Sequence, residues 1–423
     1  MDILRGIKVV DVTMWAFVPS AGGVLAHWGA DVVKVESPTF PDPMRIMGGS
    51  LEPGGASNLF KHYSRGKRSI ALDLASDEGR EILYKLVADA DVFLTSYLPP
   101  TRKKLKIDVD DIRKVNPKII YARGTGQGPK GPEAERGGYD GVTWWGRGTL
   151  SKSAMDVTGA TWPVSMIGHG DGMSGMTLVS GILAALLRRE RTGEPTLVDA
   201  SLLGTAIWFN GLAIVANQKG TVGTPSPAGT VGAATPGNGK EVGEVVKATP
   251  PPGRENSLAN MGPYQTKDGR FLILGYLGDS DVEFVDLCDH LGRPELATDP
   301  RFSTSPNRIA NRKELMAILD EVFDGRTLAE WREALLTVKG VWAPVQSPAE
   351  VYDDPQTLAN GFLRHVDYPG GGLKVPVPPI LFDEEAGDPP PAPDFGAHTD
   401  EILGGLGITG DEVARLRAAG TVA

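Results

Sequence analysis

The segment Gly168-His169-Gly170-Asp171-Gly172 is the densest concentration of chemistry in the chain. Its glycines let other groups approach the Asp171 carboxylate closely, and the periodicity predicts an apolar helix just after it, over Ser174–Arg189. An Asp there feels the positive end of the helix dipole, which favours its ionised form. Neighbouring glycine N–H groups can stabilise an oxyanion. An ionised, accessible carboxylate is what covalent catalysis by Asp requires. The same residue can instead do no more than cap the helix, the commoner fate of an Asp at a helix start. His169 reads as a structural or loop residue, with general-base work as the alternative.

Two basic clusters offer a second kind of chemistry. Lys61, Arg65, Lys67 and Arg68 precede one expected strand, while Arg102, Lys103, Lys104 and Lys106 follow another. Together they could form an electropositive mouth for a phosphate-bearing ligand, or a solvated surface. Trp144 and Trp145 could line an apolar pocket or belong to the core. Other chemistries lack their patterns. The loop after the first strand has no GxGxxG, so a dinucleotide held by Glu36 finds no support. The six histidines form neither HxxxH nor HExxH, and no GxSxG elbow occurs. The single Cys288 excludes an intrachain disulfide and a CxxC metal site.

These residues need a scaffold, and hydrophobic patterning supplies one. Ile7–Val12, Asp31–Glu36, Arg68–Leu74, Asp91–Tyr97, Lys118–Ala122 and Thr196–Asp199 read as strands. Helices are expected between them at Ala21–Trp28, Asp77–Ala90 (with Ser76 as N-cap) and Val109–Val115, and afterwards at Ser201–Asn217. Such alternation implies a mostly parallel sheet covered on both faces, with ligands beyond the strands' carboxyl ends. Gln218–Ser257 has no hydrophobic period and reads as a boundary or long loop. Beyond it, Pro263–Thr266 and Arg270–Tyr276 form a predicted hairpin around Lys267–Gly269, followed by helices at Val282–Leu291, Asn311–Phe323 and Leu328–Val338. Val341–Phe382 is strand-like and proline-rich, and two short helices are expected at Thr399–Leu403 and Asp411–Ala419.

The 423 residues allow two or three domains, and 87 Gly and Pro residues imply many loops without reaching a low-complexity composition. A net charge of −10 argues against a general nucleic-acid binder. The apolar stretches Met176–Leu187 and Leu202–Ala216 look too short or interrupted to span a bilayer, and no secretory signal is legible. A cytoplasmic enzyme that binds neither nucleic acid nor membrane is the expectation.

In combination the motifs resemble CoA-transferase family III, the group of formyl-CoA transferase, carnitine CoA-transferase and α-methylacyl-CoA racemase. The resemblance rests on LRGIKVVDVT, GGVLAHWGADVVKVESP with Asp42 and Arg45 as D-x-x-R, and RGKRSIALDL. It continues through NPKIIYARGTGQGP, GGYD, GDGMSGM with GILAALLRRERTGEPTLVDASL, and HTDEILGGLGI. It implies a large Rossmann-like α/β domain with a mostly parallel sheet, a smaller α+β domain and an interlocked homodimer. The expected layout is 1–217 in the large domain, 218–257 as linker, 258–340 as the small domain and 341–423 as a return completing the large one.

The resemblance also makes Asp171 the nucleophile of a transfer of coenzyme A from an acyl-CoA to a small organic acid, through aspartyl anhydrides and an aspartyl-CoA thioester. No permanently bound cofactor and no metal are implied; CoA and acyl-CoA are substrates. CoA contacts would come from Ala16, Phe17, Leu72, Asp73, Ala75, Ser96, Tyr97, Leu98, Lys104, Arg136, Gly137 and Tyr139. Asn260-Met261-Gly262 stands where some relatives have a glycine-rich closing loop. Racemases carry His where this chain has Tyr139, and Tyr is a poor proton shuttle at neutral pH. Transfer is therefore favoured, with a racemase or a non-catalytic CoA-binding protein as alternatives.

Overall fold

The computed structural model describes residues 1–47, 56–217, 247, 250, 254, 257–276, 279–369 and 371–423. Most of the predicted tract Gln218–Ser257 lies outside the described residues. The chain divides into two compact units, one of Met1–Leu150, Ser165–Gly211 and Tyr352–Ala423, the other of Ser151–Val164 and Leu212–Val351.

The first unit holds strands β1 (Lys8–Val12), β2 (Asp31–Glu36), β3 (Arg68–Ala71), β4 (Val92–Thr95), β5 (Ile120–Thr125) and β6 (Leu197–Ser201). They form one sheet in the order β3-β2-β1-β4-β5-β6, every neighbouring pair parallel. The order reverses between β1 and β4, the point at which such sheets open a crevice beyond the strand ends. Helices α1 (Phe17–His27), α2 (Asn58–Tyr63), α3 (Asp77–Ala88), α4 (Pro99–Leu105), α5 (Val109–Val115), α7 (His169–Thr192) and α8 (Leu202–Phe209) belong to this unit, while α6 (Leu150–Thr158), all but its first residue, belongs to the second. Strand side chains alternate between two cores. Val9, Val92, Leu94 and Ile120 pack with Leu25 of α1 and Ile182 of α7. On the opposite face, Val10, Val33, Phe93 and Tyr121 pack with Leu83 of α3 and Ile112 of α5.

The second unit contains α9 (Gly211–Ala216, its first residue in the first unit), α10 (Asp281–Leu291), α11 (Glu295–Thr298), α12 (Ser305–Ala310), α13 (Arg312–Phe323) and α14 (Leu328–Ala334). Its antiparallel sheet runs β7-β8-β9, with β7 (Met261–Gln265) and β8 (Phe271–Gly275) forming the hairpin expected around Lys267–Gly269, and β9 (Trp342–Pro344) alongside β8. Tyr264, Phe284, Phe323 and Trp331 anchor its core. Back in the first unit, α15 (Pro355–Ala359) precedes the β10 (Leu363–Val366) and β11 (Leu373–Pro376) hairpin. The chain ends with α16 (Thr399–Gly405) and α17 (Asp411–Ala418), which put Leu403 and Leu416 into the second of the two sheet cores.

The consequential difference from the sequence reading concerns α7. It starts at His169 rather than Ser174, so Asp171 sits inside the first turn. Glycines that signal a loop in sequence are here demanded by packing: a Cβ on Gly170 would meet Trp144 at 2.3 Å, and one on Gly175 would meet the Ser20 hydroxyl at 1.8 Å. At 24 residues α7 is also long and apolar enough to cross a bilayer, contrary to the sequence expectation, but it lies against α1, β5 and β6. The single helix expected over Ser201–Asn217 is two, α8 and α9. Helices α2, α4 and α6 and a π-helical stretch at Asp140–Arg147 have no counterpart in the sequence reading.

Candidate active site

The loops after β1 and β4 meet at the sheet's carboxyl edge. Met14 N–H donates to the Ser96 hydroxyl (2.9 Å), and Trp15 N–H to Asp42 Oδ1 (3.0 Å). That second bond holds Trp15 at φ 72°, a left-handed conformation bulky residues rarely adopt. Asp42 is itself fixed by Lys34 (2.9 Å), whose ammonium also donates to the Thr13 carbonyl (2.9 Å). Lys67 pairs with Asp11 (2.8 Å), and Arg45 grips Glu36 with two bonds of 2.8 and 2.6 Å. All six side chains are buried. This ionic ladder is the foundation of the β1–α1 loop.

Asp171 arrives at the same edge from α7, whose N-cap is Gly168 at φ 83°. The buried Asp140 accepts the Gly170 N–H (3.2 Å), so a side chain distant in sequence caps this helix. Beside it Tyr63 donates its hydroxyl to the Gly168 carbonyl (3.4 Å), and the Ser20 hydroxyl of α1 reaches the Asp171 carbonyl (3.5 Å). Neither Asp140 nor Asp171 forms an ion pair with Lys or Arg among the described residues.

The electrostatics correct the expected ionised nucleophile. Burial, and then the neighbouring Asp140 charge, push the Asp171 carboxyl up to about 7. Desolvation and a like charge outweigh the helix terminus. Burial also raises Asp140, against the N–H groups of Gly168, Gly170 and His169 and the His169 ring. Tyr63 is pushed up to about 12 by burial and by both acids, so it stays a proton donor.

Of the predicted contact residues, Ala16 and Phe17 are buried where α1 begins. Tyr139 is exposed and meets the Trp15 ring edge-to-face at 5.4 Å, next to Asp140. Ser96 is the half-buried hydroxyl that holds Met14, Tyr97 passes its carbonyl to Arg102 (2.7 Å), and Leu98 is the residue before α4. Lys104 is exposed on α4, and Arg136 and Gly137 are exposed, Arg136 pairing with Glu133 (3.2 Å). Leu72 is buried and bridges Val422, the half-buried Asp73 donates its N–H to the Thr421 carbonyl (2.8 Å), and Ala75 is exposed. His169 is exposed, and its ring lies 6.2 Å from that of Trp145.

Two expectations about charge and aromatics are revised. Lys67 is consumed by Asp11, Arg68 sits at the amino end of β3 on Asp31 (2.6 Å), and Arg102 is buried against Asp108 (3.1 Å). Lys67 and Arg68 are therefore not free to hold a phosphate, whereas Lys103, Lys104 and Lys106 stay exposed. Trp144 and Trp145 are core residues, Trp144 beneath Gly170 and Trp145 donating to the Met166 carbonyl (3.0 Å). Asn260 is buried and bonds Asp279 (2.7 Å), while Met261 and Gly262 lie in β7. Sequence reasoning missed Tyr63 and the capping role of Asp140, since neither is near Asp171 in sequence. Among the described residues, no group of three His, Cys, Asp or Glu could hold a metal.

Residues 4–399 match the family model for CoA-transferase family III. The chain is 29% identical over 417 residues to (R)-2-hydroxy-4-methylpentanoate CoA-transferase of Clostridioides difficile, covering 97% of each chain. It is 31% identical over 426 residues to succinate–glutarate CoA-transferase of Agrobacterium fabrum, covering 95% of each. The crystal structure of a CAIB/BAIF family protein from Brucella suis superposes with a TM-score of 0.74 at 29% identity, over 95% of this chain and 99% of that one.

Proposed function

Because the chain belongs to CoA-transferase family III and is an acyl-CoA:carboxylate CoA-transferase, we propose that Asp171 is its covalent nucleophile. An Asp171 carboxylate oxygen attacks the donor thioester carbonyl; the C–S bond breaks, leaving an aspartyl–acyl anhydride and CoA thiolate. The thiolate attacks the aspartyl carbonyl, expelling the donor acid as carboxylate and forming an aspartyl-CoA thioester. The acceptor carboxylate attacks that thioester carbonyl, giving a second anhydride and thiolate. Attack of the thiolate on the acceptor's acyl carbonyl releases the new acyl-CoA and restores Asp171. Each intermediate keeps the thioester's activation, provided water is excluded.

The observation that carries this reading is the placement of Asp171 in the first turn of α7, at the carboxyl edge of the sheet, within electrostatic reach of Asp140 and with no Lys or Arg paired to either acid among the described residues. An acid titrating near 7 is a better nucleophile than an ordinary carboxylate once ionised, because its basicity is higher. CoA then runs along the loops bearing Ala16, Phe17, Leu72, Asp73, Ala75, Ser96, Tyr97, Leu98, Lys104, Arg136, Gly137 and Tyr139. Relatives named for a branched hydroxy acid and for dicarboxylates frame the choice of acid. Ile207, Trp208 and Phe209 of α8 are exposed apolar side chains, as a homodimer interface would need.

The test is incubation with a panel of acyl-CoAs, hydroxylamine trapping and intact-mass analysis. A hydroxamate on Asp171, absent from Asp171→Ala, is the expected result. No adduct, together with α-proton exchange in deuterated water, would transfer the assignment to a racemase.

A further inference from the structure

Seven Lys and Arg side chains are buried among the described residues, and six have a carboxylate within ion-pair distance. Lys34 has Asp42, Arg45 has Glu36, Lys67 has Asp11, Arg80 has Asp77, Arg102 has Asp108 and Arg308 has Asp279. Arg65, 6% exposed, is the exception. Its one hydrogen-bond partner among the described residues is the Nδ1 atom of His62, at 3.2 Å. That imidazole is neutral at physiological pH, burial and Arg65 holding it down to about 4. Burial pulls the Arg65 guanidinium down to about 10, a direction that a paired carboxylate would have opposed.

A second cation stands on the same short segment. Lys61 lies 4.6 Å above the Tyr368 ring and makes no ion pair among the described residues. The Tyr368 hydroxyl accepts the Ala392 N–H (3.1 Å), which fixes the ring beside these groups. A desolvated, uncompensated guanidinium is costly, and proteins rarely bury one without a counter-charge. Arg presents a planar fork of N–H donors suited to the oxygens of phosphate or carboxylate.

We propose that Arg65, with His62 and Lys61 beside it, is a binding site for an oxyanion, a phosphate or carboxylate group, separate from the Asp171 carboxyl. The guanidinium supplies the charge-assisted bonds, the neutral imidazole holds it in place, and Lys61 adds a mobile second charge. Two sources share this chemistry: a free anion, or a phosphate of the CoA substrate.

Thermal unfolding of the full chain in rising inorganic phosphate, at constant ionic strength with chloride as reference, reads the site directly. The wild type should gain several degrees and Arg65→Lys a smaller rise, while Arg65→Met should gain nothing. Binding of CoA and of 3′-dephospho-CoA separates the sources. A loss of about tenfold for CoA alone in Arg65→Met assigns the substrate's 3′-phosphate; unchanged CoA affinity with the phosphate shift retained in the wild type assigns a free anion. A phosphate shift equal in wild type and Arg65→Met, or no shift together with unchanged CoA affinity, would overturn the proposal. Should Arg65→Met fail to fold, the wild-type titration and Arg65→Lys still decide. Hydroxylamine trapping on Asp171 is unaffected by either result, so the site and the nucleophile fail independently.

Discussion

Beneath β1, β2 and β3, Lys67 answers Asp11, Lys34 answers Asp42 and Arg45 answers Glu36, with the charges buried and matched. At the start of α7, Asp140 and Asp171 lie within electrostatic reach of each other, and neither has a Lys or Arg partner among the described residues. Asp11, Glu36 and Asp42 of the ladder stand near the carboxyl ends of β1 and β2, the edge to which α7 brings Asp171. In the ladder, low dielectric makes each ion pair necessary to its partner, which fixes the loop that carries Trp15. At Asp171, the same low dielectric with charge left unmatched raises the acid's proton affinity into the neutral range. Matched burial holds a shape, while unmatched burial shifts a proton equilibrium.

The contrast can be broken by substitution. Asp171→Ala should lower turnover by at least about a thousandfold, because no second nucleophile is at hand, with the protein still folded. Lys34→Met leaves Asp42 buried and unpaired, and should cost about 3–5 kcal/mol in urea unfolding. A loss below about 1 kcal/mol would show the ladder to be decoration.

The remaining effects are smaller and depend on pH. In the proposed mechanism only the carboxylate form of Asp171 attacks, so kcat/KM should rise with pH through about 7. Asp140→Asn removes the like charge and should move that limb to lower pH; an unmoved limb would leave burial as the sole cause. Stability gives the complementary sign. An acid with a raised folded pKa binds more protons in the native than in the unfolded state, between its ordinary 3.8 and about 7. Stability is therefore lost as pH rises through that window. Asp171→Asn should accordingly raise Tm by a few degrees at pH 8, with the gain shrinking towards pH 5, whereas Lys34→Met lowers it throughout.

Much of this was legible in the chain. Alternating β-branched runs and amphipathic helices marked β1, β2, α3 and α5 closely, because burial on both faces of a parallel sheet demands those residues locally. Motif resemblance singled out Asp171. The start of α7 was not legible, because its glycines answer Trp144 and Ser20, which lie distant in sequence. Nor were the basic clusters. Lys67 and Lys103 are both Lys in charged runs, yet one is buried on Asp11 and the other exposed.

Sequence by itself determined the sheet and the family and singled out Asp171 as the candidate nucleophile, since these depend on local periodicity and on contiguous motifs. Tertiary structure alone decided that Asp140 caps α7, that Asp171 titrates near 7 rather than as an ordinary carboxylate, and that Arg65 is the one buried cation among the described residues left without an acid. Those properties are sums over neighbours and solvent exclusion, and distance in three dimensions sets them, not spacing along the chain.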